Sequence, residues 1–143
     1  MLTGRDRGSV LLLFPAAFLV MLVLAATTID VGLTHVRAHE LQAVAESAAN
    51  DSLGALDVAA LRDHGTLELD PQRVRTIVAD TVAAGPVPAS EIVAIDLRRD
   101  PVGRLEVAIT LRLRVDLVMA PALPGGPTST TITRTGIAVV LET

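Results

Sequence analysis

Residues 8–29 carry no charged side chain. A helix of these 22 residues rises ~1.5 Å per residue and reaches about 33 Å, enough to cross a hydrocarbon core of ~30 Å. Residues 31–56 then lack proline and are rich in Ala, Leu, Glu, Gln and Arg, all good helix formers except where Gly32 and Gly54 interrupt. Leu33, Val36, Leu41, Val44, Ala45 and Ala48 recur close to helical spacing and make a narrow stripe of mostly small residues. The pattern predicts one long helix, apolar all round in its first half and amphipathic in its second.

After the helix the periodicity changes twice. Asp70-Pro71-Gln72-Arg73 has a capping carboxylate followed by proline at the first helical position, and Val74, Ile77, Val78 and Val82 share one face before Gly85-Pro86 closes the helix. From residue 91 the period falls to two. Val93, Ile95 and Leu97 alternate in a first strand, and Leu105, Val107, Ile109, Leu111, Leu113, Val115 and Leu117 alternate in a second, opposite Glu106, Thr110, Arg112, Arg114 and Asp116. Asp100-Pro101-Val102-Gly103 supplies the residue types of a type I turn between them, so the two strands should form an antiparallel hairpin. A third strand of β-branched residues covers 129–141, after a proline- and glycine-rich loop at 120–128, and residues 66–69 could add a short edge. The expected class is α+β: a long N-terminal transmembrane helix continuing into an amphipathic helix, then a small antiparallel sheet of three to four strands with one packed helix.

Composition narrows what such a chain can do. At 143 residues there is room for one modest domain beside the apolar segment. Its two aromatic residues, Phe14 and Phe18, both lie in that segment, which leaves no stacking platform elsewhere for bases or sugars. All basic residues are Arg, and the net charge of -4 speaks against nucleic acid as a partner. Without cysteine there is no disulfide framework, thiol nucleophile or Cys-based zinc site.

Charge also orients the helix. Arg5 and Arg7 precede the apolar run and Asp30 follows it, which by the positive-inside bias places the N-terminus in the cytoplasm and the remainder outside the cell membrane. A discarded signal peptide would share the basic start and the small residues Ala25 and Ala26, but the run exceeds the ~7–15 residues of a usual signal core. The expected organisation is a cytoplasmic leader at 1–8, a single-pass transmembrane helix at 9–29, its amphipathic extension at 30–56 and an extracytoplasmic α+β module at 57–143. Pro15 removes one helix hydrogen bond and crowds the preceding turn near Leu11, an arrangement tolerated near the end of a membrane helix or at a packing site.

Arg7-Gly8-Ser9-Val10, the apolar run with Pro15, Asp30-Val31-Gly32 and Glu40-Leu41-Gln42 followed by Ala-rich sequence resemble, in order and spacing, the N-terminal region of TadE/TadG-like proteins of tight-adherence (Flp) pilus assembly systems. The resemblance covers about residues 5–50. It implies a bacterial, structural membrane component whose partners are the membrane, pilins or other pilus-assembly proteins, and the prepilin peptidase. It also implies a peptidase cut between Gly8 and Ser9, and assembly positions at Pro15, Asp30, Gly32, Glu40, Leu41 and Gln42. Pseudopilin-type members carry a Glu five residues after the cut, and that place is held here by Leu13. The longer members add a von Willebrand factor type A domain with a D-x-S-x-S metal loop. This chain has Asn50-Asp51-Ser52-Leu53-Gly54 instead and resembles the short, minor-pilin-like members. The departure at Leu13 keeps a second function open, a membrane-tethered accessory or sensor module that never enters a filament.

Three groups of residues have the types that chemistry needs. His35 and His39 share a helix face beside Glu40, but two ligands do not close a four-ligand metal site, and the order is not H-E-x-x-H. Asp57, Asp63 and His64 hold acid/base types, equally explained as charges around a helix end. Arg98-Arg99-Asp100 and the Arg112/Arg114 pair could meet an anion, although Glu106 and Asp116 on the same face favour the wet side of a half-buried sheet. The segment Pro124-Gly125-Gly126-Pro127-Thr128 lacks the Lys and the strand-to-helix setting of a phosphate loop. No cofactor, metal or enzymatic activity is expected.

Overall fold

The computed structural model describes residues 7–64, 66–123 and 125–140, without the side chains of residues 7–12, Ala59 and His64. Arg5 and most of the 1–8 leader lie outside the described residues. The architecture is α+β: helix α1 (Arg7–Ser52), a 3-10 turn at Leu53–Ala55, helix α2 (Val58–His64), helix α3 (Pro71–Ala84), and strands β1 (Glu91–Arg99), β2 (Leu105–Asp116) and β3 (Ser129–Val139). The strands form an antiparallel sheet in the order β1-β2-β3.

The described chain packs as two units. One comprises α1 up to Thr34 together with Asp116–Thr130, and the other comprises His35–Val115 with the chain from Thr131 onward. The long helix contributes to both.

In the first unit, α1 runs unbroken through Pro15. From Leu13 to Leu24 every large apolar side chain is exposed, on all sides of the helix, as expected of a segment whose solvent is lipid. This helix is long and apolar enough to cross a membrane. Thr27 and Thr28 return their hydroxyls to the carbonyl oxygens of Val23 and Leu24 at 2.8 Å, so neither leaves a bare polar group near the C-terminal end of the apolar run.

In the second unit the lower stripe of α1 is buried: Ala38, Leu41, Val44, Ala45, Ala48 and Ala49 face α3 residues Val74, Val78 and Val82 and the inner row of β2 within one hydrophobic core. Val36, placed on this stripe by spacing alone, is 53% exposed. The stripe is small-sided for a reason visible in β3. A Cβ built on Gly136 would lie 2.2 Å from the backbone carbon and oxygen of Ala45, so helix and strand touch backbone to backbone.

The α3 boundaries follow the sequence signals. Asp70 Oδ1 accepts the N–H groups of Gln72 (2.9 Å) and Arg73 (3.3 Å), and Pro71 opens the helix. At the other end Gly85 has φ -75°, so its missing side chain is not needed for a left-handed cap. A Cβ there would meet Val44 Cγ2 at 2.9 Å, and close helix approach is what keeps Gly85 bare.

The hairpin alternation holds in β2, where Leu105, Val107, Ile109, Leu111, Leu113 and Val115 are all buried. In β1 it breaks. The register runs Ile92 to Leu111 and then Ala94 to Thr110, so Val93 is the extra residue of a β-bulge and is 41% exposed, while Ile92, Ile95 and Leu97 pack on the core. The expected edge strand at 66–69 is reduced to one antiparallel bridge, Leu56 to Leu69. Helix α2 lies in a stretch that sequence periodicity left unassigned, and it is opened by Asp57, whose Oδ1 accepts the Ala60 N–H at 3.1 Å.

Asp100 locks the β1–β2 turn. Its Oδ1 accepts the N–H groups of Val102 and Arg104, both at 2.9 Å, and its Oδ2 takes Arg104 Nε at 2.7 Å, while Gly103 takes φ +92°. Burial pushes this carboxyl up, but the Arg104 guanidinium and the two backbone donors outweigh it and hold the group below its ordinary 3.8. A depressed folded value means the stabilisation is present above the unfolded value and is lost as pH falls from about 3.8 through the lower folded value. Asp100→Asn should therefore flatten the acid limb of the stability profile below that pH and leave its slope at neutral pH unchanged. Denaturant titrations across pH check this, and an unchanged acid limb would count against it.

Candidate functional site

The feature that organises the C-terminal end of the apolar run is Asp30. It ends the uncharged run, yet it is 6% exposed. Its Oδ1 accepts the N–H groups of Val118 (2.9 Å) and Met119 (3.0 Å), and its Oδ2 accepts Met119 (3.2 Å) and Ala120 (2.6 Å). Three successive backbone donors thus converge on one carboxylate, an arrangement like the capping of a helix start, and a 3-10 turn does begin there at Ala120–Ala122. The helix itself continues past the site, with Thr34 Oγ1 donating to the Asp30 carbonyl at 2.8 Å.

The loop that supplies the donors is shaped to fit. Gly125 takes φ +73°, and a Cβ on Gly126 would fall 1.9 Å from the Ala120 carbonyl oxygen. Gly126 N–H donates to the Leu123 carbonyl at 2.9 Å and Leu117 N–H to Thr128 at 2.9 Å, so the loop closes on itself around the Asp30 contact.

The other sequence-singled residues are spread along α1. Gly8 and Ser9 lie in its first turns, with side chains outside the described set; Leu13 is 62% exposed and Pro15 is exposed. Gly32 faces open space, with nothing among the described residues within 4 Å of a Cβ placed there, so no contact among them accounts for it. In the second unit Glu40 pairs with Arg37 at 2.8 Å, Leu41 is fully buried, and Gln42 donates to Glu46 (2.7 Å) and to the Thr135 carbonyl of β3 (3.2 Å).

Residues 8–49 match the family model described as "Putative Flp pilus-assembly TadE/G-like". The matched segment occupies under a third of the chain, lies on α1 and supports a role related to Flp pilus assembly. It contains Asp30, Gly32, Glu40, Leu41 and Gln42, and it stops before the 3-10 turn at Leu53–Ala55. Neither the comparison with curated proteins nor that with solved structures finds a match to the chain.

Around the TadE/G-like segment the candidate chemical groups are dispersed. His35 and His39 touch edge to face, with Nε2 atoms 3.0 Å apart, and are exposed. Among the described residues no group of three or more His, Asp or Glu side chains could hold a metal ion. Asp57 serves as a cap, Asp63 is exposed, and the His64 side chain lies outside the described residues. Arg98 pairs with Glu106 across the hairpin (Nε at 2.9 Å), Arg112 lies 3.7 Å from Glu91, and Arg99 donates to the carbonyls of Gly103 and Leu67. What sequence reasoning missed is the loop at 117–126, whose contribution is made by backbone N–H groups that no side-chain motif announces.

Proposed function

We propose that the chain is a structural, non-enzymatic component of a tight-adherence (Flp-type) pilus or a related assembly, minor pilin or pseudopilin-like. It spans the cell membrane once through residues 9–29, with its N-terminus in the cytoplasm and its α+β module outside. The single observation that carries this reading is the TadE/G-like match over residues 8–49, which covers the exposed apolar half of α1 and most of its amphipathic continuation. In the assembly the helix packs laterally, first with lipid and then with helices of pilins or platform proteins. Pro15 and the open face at Gly32 are positions where another helix can approach, and the sheet sets contacts outside the membrane. Processing by the prepilin peptidase would act between Gly8 and Ser9.

A second reading is favoured by one observation, the exposed apolar Leu13 where a pseudopilin carries Glu. No carboxylate stands there to pair with a neighbour's new amino terminus, as suits a membrane-tethered accessory or sensor module that stays out of the filament. Fractionation of sheared filaments and membranes, with the intact mass of the chain in each, separates the two. Filament-bound chain lacking residues 1–8 is the expected result. Full-length chain found solely in the membrane pellet, with pili unaffected by gene deletion, would sink the pilus role.

A further inference from the structure

We infer that the loop at 117–123, latched to Asp30, is a membrane-contacting foot whose partner is the interfacial layer of the lipid bilayer at the outer end of the span. The inference rests on the membrane reading of residues 9–29. Its first ground is continuity: Asp30 directly follows the uncharged run, and three consecutive loop residues are hydrogen-bonded to its carboxylate, so within this unit the loop is held at the span's boundary.

The second ground is composition. Residues 117–133 carry no charged side chain. Val118 is 63% exposed and Met119 36%, and Pro121 and Ala122 are exposed as well, so these four apolar side chains are open to the surroundings, while Leu117, Ala120 and Leu123 are half-buried.

The third ground is backbone bookkeeping. Leu117 N–H goes to Thr128, those of Val118, Met119 and Ala120 go to Asp30, and those of Ala122 and Leu123 go to the carbonyls of Met119 and Ala120, both at 3.0 Å. Pro121 has no N–H to satisfy. Every backbone donor from 117 to 123 therefore has an acceptor inside the unit, although the side chains of Val118, Met119, Pro121 and Ala122 are exposed. Water imposes no such requirement on an exposed loop, whereas the edge of a hydrocarbon phase does.

The chain has no cysteine, so single labels can be placed without background. Val118→Cys, Ala122→Cys and Leu19→Cys variants of the full chain, each bearing an environment-sensitive fluorophore, are reconstituted in phosphatidylcholine/phosphatidylglycerol vesicles. The vesicles carry lipids with a nitroxide at shallow or deep acyl positions, and iodide serves as the aqueous quencher. The Val118 and Ala122 labels should emit to the blue, lose most of their emission to the shallow nitroxide and lose little to iodide. The Leu19 label should respond best to the deep nitroxide. Loop labels quenched by iodide alone overturn the inference. So does blue emission that ignores both nitroxides and fades when labelled chain is diluted with lipid, which would assign the loop to a protein neighbour. A Leu19 label insensitive to lipid nitroxides would instead overturn the membrane reading itself, so the two failures are told apart.

Discussion

Gly136→Ala is expected to destabilise the sheet unit by roughly 3 kcal/mol or more, at or above the upper end for added methyl groups in a packed core. The added Cβ meets backbone, not the end of a flexible side chain: the Ala45 carbon and oxygen at 2.2 Å and the Glu46 nitrogen at 2.4 Å. Relief requires moving α1 away from β3, which would also stretch the Gln42 contact to the Thr135 carbonyl and loosen Ala48 and Ala49 in the core. The entropic gain from replacing a strand glycine, ~0.5–1 kcal/mol, is too small to compensate. For a domain of this size the midpoint of unfolding should fall by more than about 12 °C in scanning calorimetry of the detergent-solubilised chain. A midpoint within experimental scatter of the parent would refute the close approach. Gly32→Ala is the contrasting case. Nothing among the described residues lies within 4 Å of its built Cβ, so stability should stay level or rise by up to ~1 kcal/mol from helix propensity. A Gly32→Leu chain that keeps its midpoint yet fails to assemble would place that glycine's role between chains.

The contrast between these glycines marks where the sequence stops being legible. Elements with a long, regular period were readable: the 3.6 spacing and Asp70-Pro71 start of α3, and the alternation of β2, depend on residues close together in the chain. The bulge at Val93 was not, because the alternation Val93, Ile95, Leu97 is satisfied equally by the register that puts Val93 inside, and the choice is made by pairing with Leu111 and Thr110. Gly85 read correctly as a helix end, for a reason the chain alone does not contain, since the contact that excludes a side chain comes from Val44 on α1. Asp30 shows the same limit at the candidate site. Its position at the end of an uncharged run and inside the Asp-x-Gly of the TadE/G-like segment singled it out. What it holds is backbone 88–90 residues away, and a backbone N–H has no residue-type signature.

Removing that carboxylate has the second large expected effect. In Asp30→Ala, three N–H groups lose their acceptor at once, and hydrogen bonds to a charged acceptor are the stronger class. Hydrogen exchange at Val118, Met119 and Ala120 should accelerate by about tenfold or more, as local opening replaces a pinned turn, while amides within β2 from Leu105 to Val115 keep their protection because they belong to the other unit. Asp30→Asn should fall between the two. Its carbonyl oxygen can still accept from Val118 and Met119, but its amide presents N–H to the Ala120 N–H that the carboxylate now receives at 2.6 Å. Gly126→Ala reaches the same loop from the opposite side, since its Cβ would sit 1.9 Å from the Ala120 carbonyl oxygen and force the 3-10 turn to reorganise without touching the carboxylate. Matching exchange patterns in Asp30→Ala and Gly126→Ala would show that loop geometry and carboxylate work as one latch. Unchanged exchange at residues 118–120 in Asp30→Ala would leave Asp30 without the structural task assigned to it. If filaments fail to form in both variants while the chain still reaches the membrane, the latch, and not the charge alone, is what assembly requires.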